Sequence, residues 1–246
     1  MPCNIKLTLE YDGTDYVGWQ TQPNGPTIQE TLERTLDRIL GHPVTVYGSG
    51  RTDSGVHALG QVANVRTGSA MPLDELKRAL NAVLPEDIAV REIEEVGDSF
   101  HARKSAVRKT YRYRLHVGED KPVIGRRYVA RCRYALDEGL IREAASLLEG
   151  RHDFGSFCSE YDAAKDTRRT VERMQVARED DVLTFTVTAG GFLYNMVRAI
   201  VGTLIEVGRG RMTPRDVERL LERPDRSAAG PTAPPEGLFL VSVEYE

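Results

Sequence analysis

The chain has 246 residues with 33 Lys+Arg against 37 Asp+Glu, a formal charge of -4, and at about 150 residues per domain it predicts one to two domains with a sizeable core. Hydrophobic residues make up 40% and charged residues 28%, which excludes disorder. The most apolar run, Phe192 to Val207, carries Asn195, Arg198 and Glu206, which excludes a span of about 18 uninterrupted apolar residues. The opening Met-Pro-Cys-Asn-Ile-Lys lacks the apolar stretch of a signal peptide. Cys3, Cys132 and Cys158 lie far apart with no Cys-x-x-Cys, which argues against a disulfide framework or a zinc knuckle. A cytoplasmic globular protein is expected, with no membrane association, either an enzyme or a binding module.

In chain order, Ile5, Leu7, Leu9 and Tyr11 alternate with Lys6, Thr8 and Glu10, the period of a half-buried strand ended by Asp12-Gly13. Thr27-Ile-Gln-Glu30 has the form of a capping box. The helix it opens carries Ile28, Leu32, Leu36, Ile39 and Leu40 on one face and stops at Gly41 and Pro43. Val44 to Tyr47 and Gln61 to Arg66 read as strands around a glycine-containing loop. A second helix presents Leu73, Leu76, Leu80 and Val83, and Ile88 to Val96 returns as a strand. This order is βαββαβ, the split arrangement of ferredoxin-like domains.

The second half repeats the order with one added helix. Val107 to Val117 is a strand with Tyr111, Tyr113, Leu115 and Val117 on one face. Leu136 to Leu148 is helical, with Leu140, Ala144, Leu147 and Leu148 inward. Val171 to Ala177 and Leu183 to Val187 pair antiparallel through a turn at Glu179-Asp-Asp181. Phe192 to Val207 is a mostly buried helix, Thr213 caps another, and Leu238 to Tyr245 alternates as a final strand. The expectation is an α+β protein of two ferredoxin-like βαββαβ lobes, residues 1–100 and 101–246, with mainly antiparallel sheets and an active-site cleft between them.

Local basicity stands out against the acidic total. Arg103, Lys104, Arg108, Lys109, Arg112 and Arg114 follow one another with no carboxylate among them. Arg126, Arg127, Arg131 and Arg133 form a second group, and Lys165, Arg168, Arg169 and Arg173 a third. Each alone fits a solvated strand face; three, interleaved with Tyr111, Tyr113 and Tyr128, point to nucleic acid.

The densest signal is Gly48-Ser-Gly-Arg-Thr-Asp-Ser-Gly-Val-His57, between two strands. Asp53 stands where a dinucleotide fingerprint needs its third glycine, no Gly-Lys-Ser/Thr makes it a P-loop, and no Gly-x-Ser-x-Gly makes it a nucleophile elbow. What remains is a carboxylate on a tight turn beside Arg51. Taken alone, it fits an Asx-turn as well as a catalytic acid.

Gly50-Arg-Thr-Asp-Ser-Gly-Val-His57 followed by Gly60-Gln-Val resembles the signature of the tRNA pseudouridine synthase A (TruA) family. Matching pieces occur in order: Glu10-Tyr-Asp-Gly13, Gly18-Trp-Gln20, Phe100-His-Ala-Arg103, Lys109-Thr-Tyr-Arg-Tyr113, Asp153-Phe-Gly-Ser-Phe157, Phe192 through Met196-Val-Arg198, and Glu236-Gly-Leu-Phe-Leu-Val241. Ser49 and Ser54 replace frequent alanines, and Cys158 to Asp166 matches poorly.

The resemblance implies isomerisation of uridine to pseudouridine at positions 38, 39 and 40 of the tRNA anticodon stem-loop. Asp53 is then the nucleophile, acting at the sugar C1′ or the base C6. Arg198, the sole cation in its apolar helix, is the candidate counter-ion, since a buried arginine calls for a carboxylate partner. Gly191 and Gly202 lie roughly on its helical face. Tyr111 maps to the residue stacking on the target uracil, and Arg51 to a phosphate or sugar contact. Phe100, His101, Ala102, Arg103 and Lys104, with Arg126 and Arg127, are the candidate RNA-backbone contacts. His57, His101, His116 and His152 share no metal-ligand spacing. No metal and no cofactor are expected, and the family forms homodimers that hold tRNA across both subunits. Two rivals are an RNA-binding or chaperone protein whose loop carboxylate is structural, and a phosphotransfer enzyme, for which the carboxylate cluster is missing.

Overall fold

The computed structural model describes residues 3–159 and 166–246, so Lys165 of the third basic group and most of the poorly matching 158–166 stretch lie outside the described residues. Among the described residues, ten strands and five α-helices make a mixed α/β fold with mostly antiparallel strand pairs. They group into two compact units, Met1–Val107 with Phe239–Glu246, and Arg108–Leu238. No helix among the described residues is long and apolar enough to cross a membrane.

The first unit runs β1 (Cys3–Tyr11), α1 (Ile28–Leu40), β2 (Val46–Gly48), β3 (His57–Thr67), α2 (Leu73–Val83) and β4 (Ile88–Val96). β1 lies between β3 and β4, antiparallel to both, and β2 pairs antiparallel on the other edge of β3, Val46 opposite Val65. β3 extends beyond the expected Gln61 to Arg66 because it is buried along nearly its whole length, which erases the alternation that marks a one-sided strand. At its start it also takes the last strand, β10 (Leu238–Tyr245), in parallel, Phe239 opposite His57 and Leu240 opposite Ala58. The end of the chain therefore groups with the first unit, where the sequence reading assigned all of 101–246 to the second lobe. A pairing across that separation leaves no local pattern.

At α1 the Thr27 hydroxyl accepts the Glu30 N–H (3.2 Å), and Gly41, at φ 74°, closes the helix with its N–H on the Asp37 carbonyl. Ile28, Leu32 and Leu36 are buried as the period requires. In α2 Leu76 and Leu80 are buried and Leu84 follows them inside, while Val83 faces solvent.

The second unit contains most of β5 (Ala106–Val117), then β6 (Ala130–Cys132), α3 (Glu138–Ser146), β7 (Gly150–Asp153), β8 (Arg168–Glu179), β9 (Val182–Ala189), α4 (Met196–Gly208) and α5 (Pro214–Glu222). β5, β9, β8 and β7 pair antiparallel in that order, and β6 lies parallel to the end of β5. The turn expected at 179–181 is present, with Asp180 at φ 49°. β6 and β7, three and four residues long, are too short to show a period and were not expected. In α3 the buried face is Ile141, Ala144, Ala145 and Leu148 rather than the Leu140 and Leu147 stripe. Helix α4 begins at Met196, not Phe192, because Asn195 takes a left-handed φ of 60° that a helix cannot pass through. The reciprocal capping box is complete at α5, between Thr213 and Asp216.

Candidate active site

The loop between β2 and β3 is held from below by polar side chains inside the first unit. Ser49 and Gln61 are fully buried; the Ser49 hydroxyl donates to Gln61 Oε1 (2.7 Å), and Gln61 Nε2 donates to the Gly50 carbonyl (3.0 Å). The Tyr11 and Thr52 hydroxyls share a 2.8 Å bond, with Gln61 Nε2 3.4 Å from the Tyr11 oxygen. Burial pushes the Tyr11 hydroxyl up to about 12, against the smaller opposing pull of its bonds to Thr52 and Gln61, so it is protonated at neutral pH. Gln61 and Tyr11 are the residues to which the sequence reading gave no role. Their only sequence signal is polar atoms at inward-facing strand positions, which must find partners.

Backbone bonds hold the loop from the side. Trp19 N–H donates to the Thr52 carbonyl (3.0 Å), and the Gly55 N–H and Ser54 hydroxyl both reach the Tyr16 carbonyl (3.2 Å each). Val56 N–H returns to the Asp53 carbonyl (3.1 Å), closing a turn with Gly55 at φ 75°. Gly18, at φ 109°, permits the approach of this frame: a Cβ there would lie 2.7 Å from the Thr52 carbonyl oxygen. With Thr52 buried, its neighbours turn the other way, Arg51 exposed and Asp53 half-buried. The structure thus brings Arg51 and Asp53 together on one braced turn. The backbone that carries Asp53 is therefore fixed on both sides of the turn.

Tyr111 and Arg198 belong to the second unit. Tyr111 projects from the inward face of β5, is 8% exposed, and meets Phe192 edge to face at 4.9 Å and 81°. Tyr113, two residues on, is fully buried and donates its hydroxyl to the Pro234 carbonyl (2.9 Å); burial raises its pKa well above the ordinary tyrosine range. It is a core residue, and its hydroxyl is committed. Arg198 sits half-buried in the first turn of α4, its Nε donating to the Ala233 carbonyl (2.8 Å) and Nη1 to Asn195 Oδ1 (3.0 Å). Gly202 lets residues 231–233 press against the helix; a Cβ there would lie 1.7 Å from the Pro231 carbonyl oxygen. Gly191, expected on the same helical face, precedes the helix.

The Phe100 to Lys104 segment is pinned to the first unit. Asn4 donates to the Gly97 and Phe100 carbonyls (3.1 and 3.0 Å), and Asn64 Oδ1 accepts the Ala102 N–H (2.9 Å). Ala102 is fully buried, and its carbonyl accepts the Tyr245 hydroxyl (2.8 Å), so it anchors the segment and offers no surface to RNA. Phe100 lies against Tyr245 (4.9 Å) and His101 against the exposed Tyr47 (5.2 Å). Arg103 and Lys104 are exposed. Arg126 and Arg127 sit exposed on a single 3-10 turn in the second unit. Among the described residues, no group of three or more His, Cys, Asp or Glu is arranged to hold a metal.

A family model described as tRNA pseudouridine synthase matches residues 8–103 and 144–246. The chain is 46% identical over 242 residues to the tRNA pseudouridine synthase A of Caldicellulosiruptor bescii, covering 98% of this chain and 99% of that one. It is 48% identical over 242 residues to the protein of that name from an Exiguobacterium species, covering 98% of each. Against the one from a Geobacillus species, identity is 45% over 247 residues and coverage is 100% of both.

Proposed function

Because this chain belongs to the tRNA pseudouridine synthase family, we propose that it isomerises uridine to pseudouridine at positions 38, 39 and 40 of the tRNA anticodon stem-loop, with Asp53 as nucleophile. In this reaction the N1–C1′ bond breaks, the uracil turns, and a C5–C1′ bond forms; C5 loses a proton and N1 gains one. The balance is neutral in atoms and electrons, so the chain's own side chains suffice in principle. Asp53 acts at C1′ or at C6 and departs when the new bond is made.

The observation that carries this reading is the braced turn. Thr52 is held inward by Tyr11, which leaves Asp53 and Arg51 directed outward from a loop whose backbone is bonded on two sides. Preorganisation of this kind favours catalysis over flexible binding. Tyr111 supplies the ring on which the everted uracil stacks; Tyr113 is unsuited because its hydroxyl is already bonded. Arg51 grips phosphate or sugar, and Arg198 is the counter-ion of the Asp53 carboxylate. Phe100, His101, Arg103, Lys104 and Arg126 position the RNA backbone. The β4-β1-β3-β2 strand order of the first unit supports the finer reading of ferredoxin-like lobes. The proposal includes a homodimer acting in the cytoplasm.

The test is to incubate the pure protein with unmodified tRNA and map pseudouridine by carbodiimide-stop sequencing. Product confined to the anticodon stem-loop is expected, and Asp53→Asn abolishes it while tRNA binding persists. Product elsewhere overturns the substrate assignment. Joint loss of binding and product in the variant favours a structural carboxylate in an RNA-binding protein.

A further inference from the structure

The strand register of the second unit gathers arginines that are scattered in sequence. On β5, Tyr111, Tyr113, Leu115 and Val117 are buried, so Arg108, Thr110, Arg112, Arg114 and His116 share the opposite face. On β9, Leu183, Phe185, Val187 and Ala189 are buried and Thr184, Thr186 and Thr188 face the other way. Pairing places Arg112 beside Thr186, which is beside Gln175; Arg114 beside Thr184; and Thr110 beside Thr188, which is beside Arg173. The Thr110 and Thr188 hydroxyls are 3.0 Å apart, as residues of one face must be. Arg112 and Arg114 thus stand about 7 Å apart along one strand, with Arg173 two strands away.

The charge on this face is unbalanced. Its carboxylates stand at the ends: Glu172 at the β8 bulge is taken by Arg108 (2.6 Å), and Glu179 lies opposite Val182 at the far end of β8. Among the described residues, the guanidinium groups of Arg112, Arg114 and Arg173 meet no carboxylate and donate no hydrogen bond. Arg112 and Arg114 are half-buried all the same. Like charges on neighbouring positions of a sheet face destabilise it, and solvated faces usually mix signs. Such a patch is suited to a polyanion.

We propose that this sheet face is an RNA-backbone surface on which Arg112, Arg114 and Arg173 engage phosphates while the threonine hydroxyls and Gln175 bond phosphate or ribose oxygens. The proposal rests on RNA being the substrate, as argued above. Arginine and hydroxyl side chains are the groups that meet nucleic-acid backbones. A second copy of this chain is the poorer occupant, because a two-fold contact would bring the arginines of both copies together, with Glu172 already taken by Arg108 and Glu179 alone to answer them. The surface recognises backbone and no base, so it adds affinity without selecting sequence.

The experiment compares wild type with the triple variant Arg112→Gln, Arg114→Gln, Arg173→Gln and the triple lysine variant at the same positions. Binding to unmodified tRNA is measured across a series of KCl concentrations, with sedimentation to follow oligomeric state. Each lost phosphate contact lowers the slope of log affinity against log salt by about 0.7–0.9, so the glutamine triple is expected to lose about 2 to 3 and to bind at least about tenfold more weakly at low salt. The lysine triple keeps the slope. An unchanged slope overturns the proposal. So does a glutamine triple that changes oligomeric state with the slope unchanged, which makes the face a contact between copies. Failure of the wild type to make pseudouridine sinks the reading of the reaction, while the salt slope still decides this face.

Discussion

Replacing Gln61 by leucine removes the buried brace of the Asp53 loop while nearly conserving volume. Three bonds disappear, from the Ser49 hydroxyl at 2.7 Å, from the Val62 N–H at 3.2 Å and to the Gly50 carbonyl at 3.0 Å. The 3.4 Å approach to the Tyr11 oxygen is too long to matter much. Ser49 is fully buried but keeps its bond with the Tyr245 hydroxyl, so losing one partner costs about 1 kcal/mol, while the Gly50 carbonyl and the Val62 N–H together cost about 2–4 kcal/mol. Leucine recovers part of this through apolar contact, leaving a net loss of about 2–4 kcal/mol. At about 2–4 °C per kcal/mol for a chain of this length, melting falls by about 4 to 16 °C. The loop then loses its fixed direction, and a misplacement of about 1 Å costs on the order of 100-fold in rate. The expected result is a single-turnover rate down by one to two orders, roughly, with a smaller fall in tRNA affinity, because Arg51 on this loop is one proposed RNA contact among several. Circular dichroism melting and single-turnover pseudouridine formation measure both. A melting loss under about 1 °C together with wild-type turnover would refute the idea that this side chain holds the loop.

Two further outcomes follow from the same coordinates. Tyr113→Phe strands the Pro234 carbonyl and lowers stability by about 1–2 kcal/mol in urea unfolding while turnover stays near wild type, whereas Tyr111→Ala chiefly weakens substrate engagement; a reversed pattern would exchange the two roles. Thr213→Ala removes the α5 cap at about 0.5–2 kcal/mol near neutral pH. The Thr213 hydroxyl, and then its backbone N–H, hold the Asp216 carboxyl below its ordinary 3.8, so this support is present above that value and is lost as pH falls through the lowered one. Urea midpoints of wild type and variant should therefore draw closer in acid without meeting, because the Asp216 N–H bond to the Thr213 hydroxyl does not titrate, and an unchanged gap would show that the charged Asp216 contributes nothing to the cap.

Elements whose cause is local were legible in the residues. The α2 and β4 boundaries, the Thr27 and Gly41 ends of α1, and the Asp180 turn all follow from side-chain period or from one residue's backbone preference. The Arg51-Thr-Asp53 loop was legible too, because its glycines and carboxylate are contiguous. The other elements were hidden by a backbone choice the period does not show, by tertiary burial, or by sheer shortness. Asn195 cut the first turn from α4, burial on both sides hid the length of β3, and β6 and β7 were too short to carry a period.

By itself, then, the order of residues determined the local elements and the chemistry-bearing loop, since hydrogen bonds and apolar stripes within one segment depend only on neighbours in the chain. Tertiary structure alone decided that the last strand joins His57 and Ala58, that Gln61 and Tyr11 lie beneath Thr52, and that Arg173 shares a face with Arg112 and Arg114. Those are questions of strand register and of which buried polar atoms find one another, and both are settled by contacts between residues far apart in sequence.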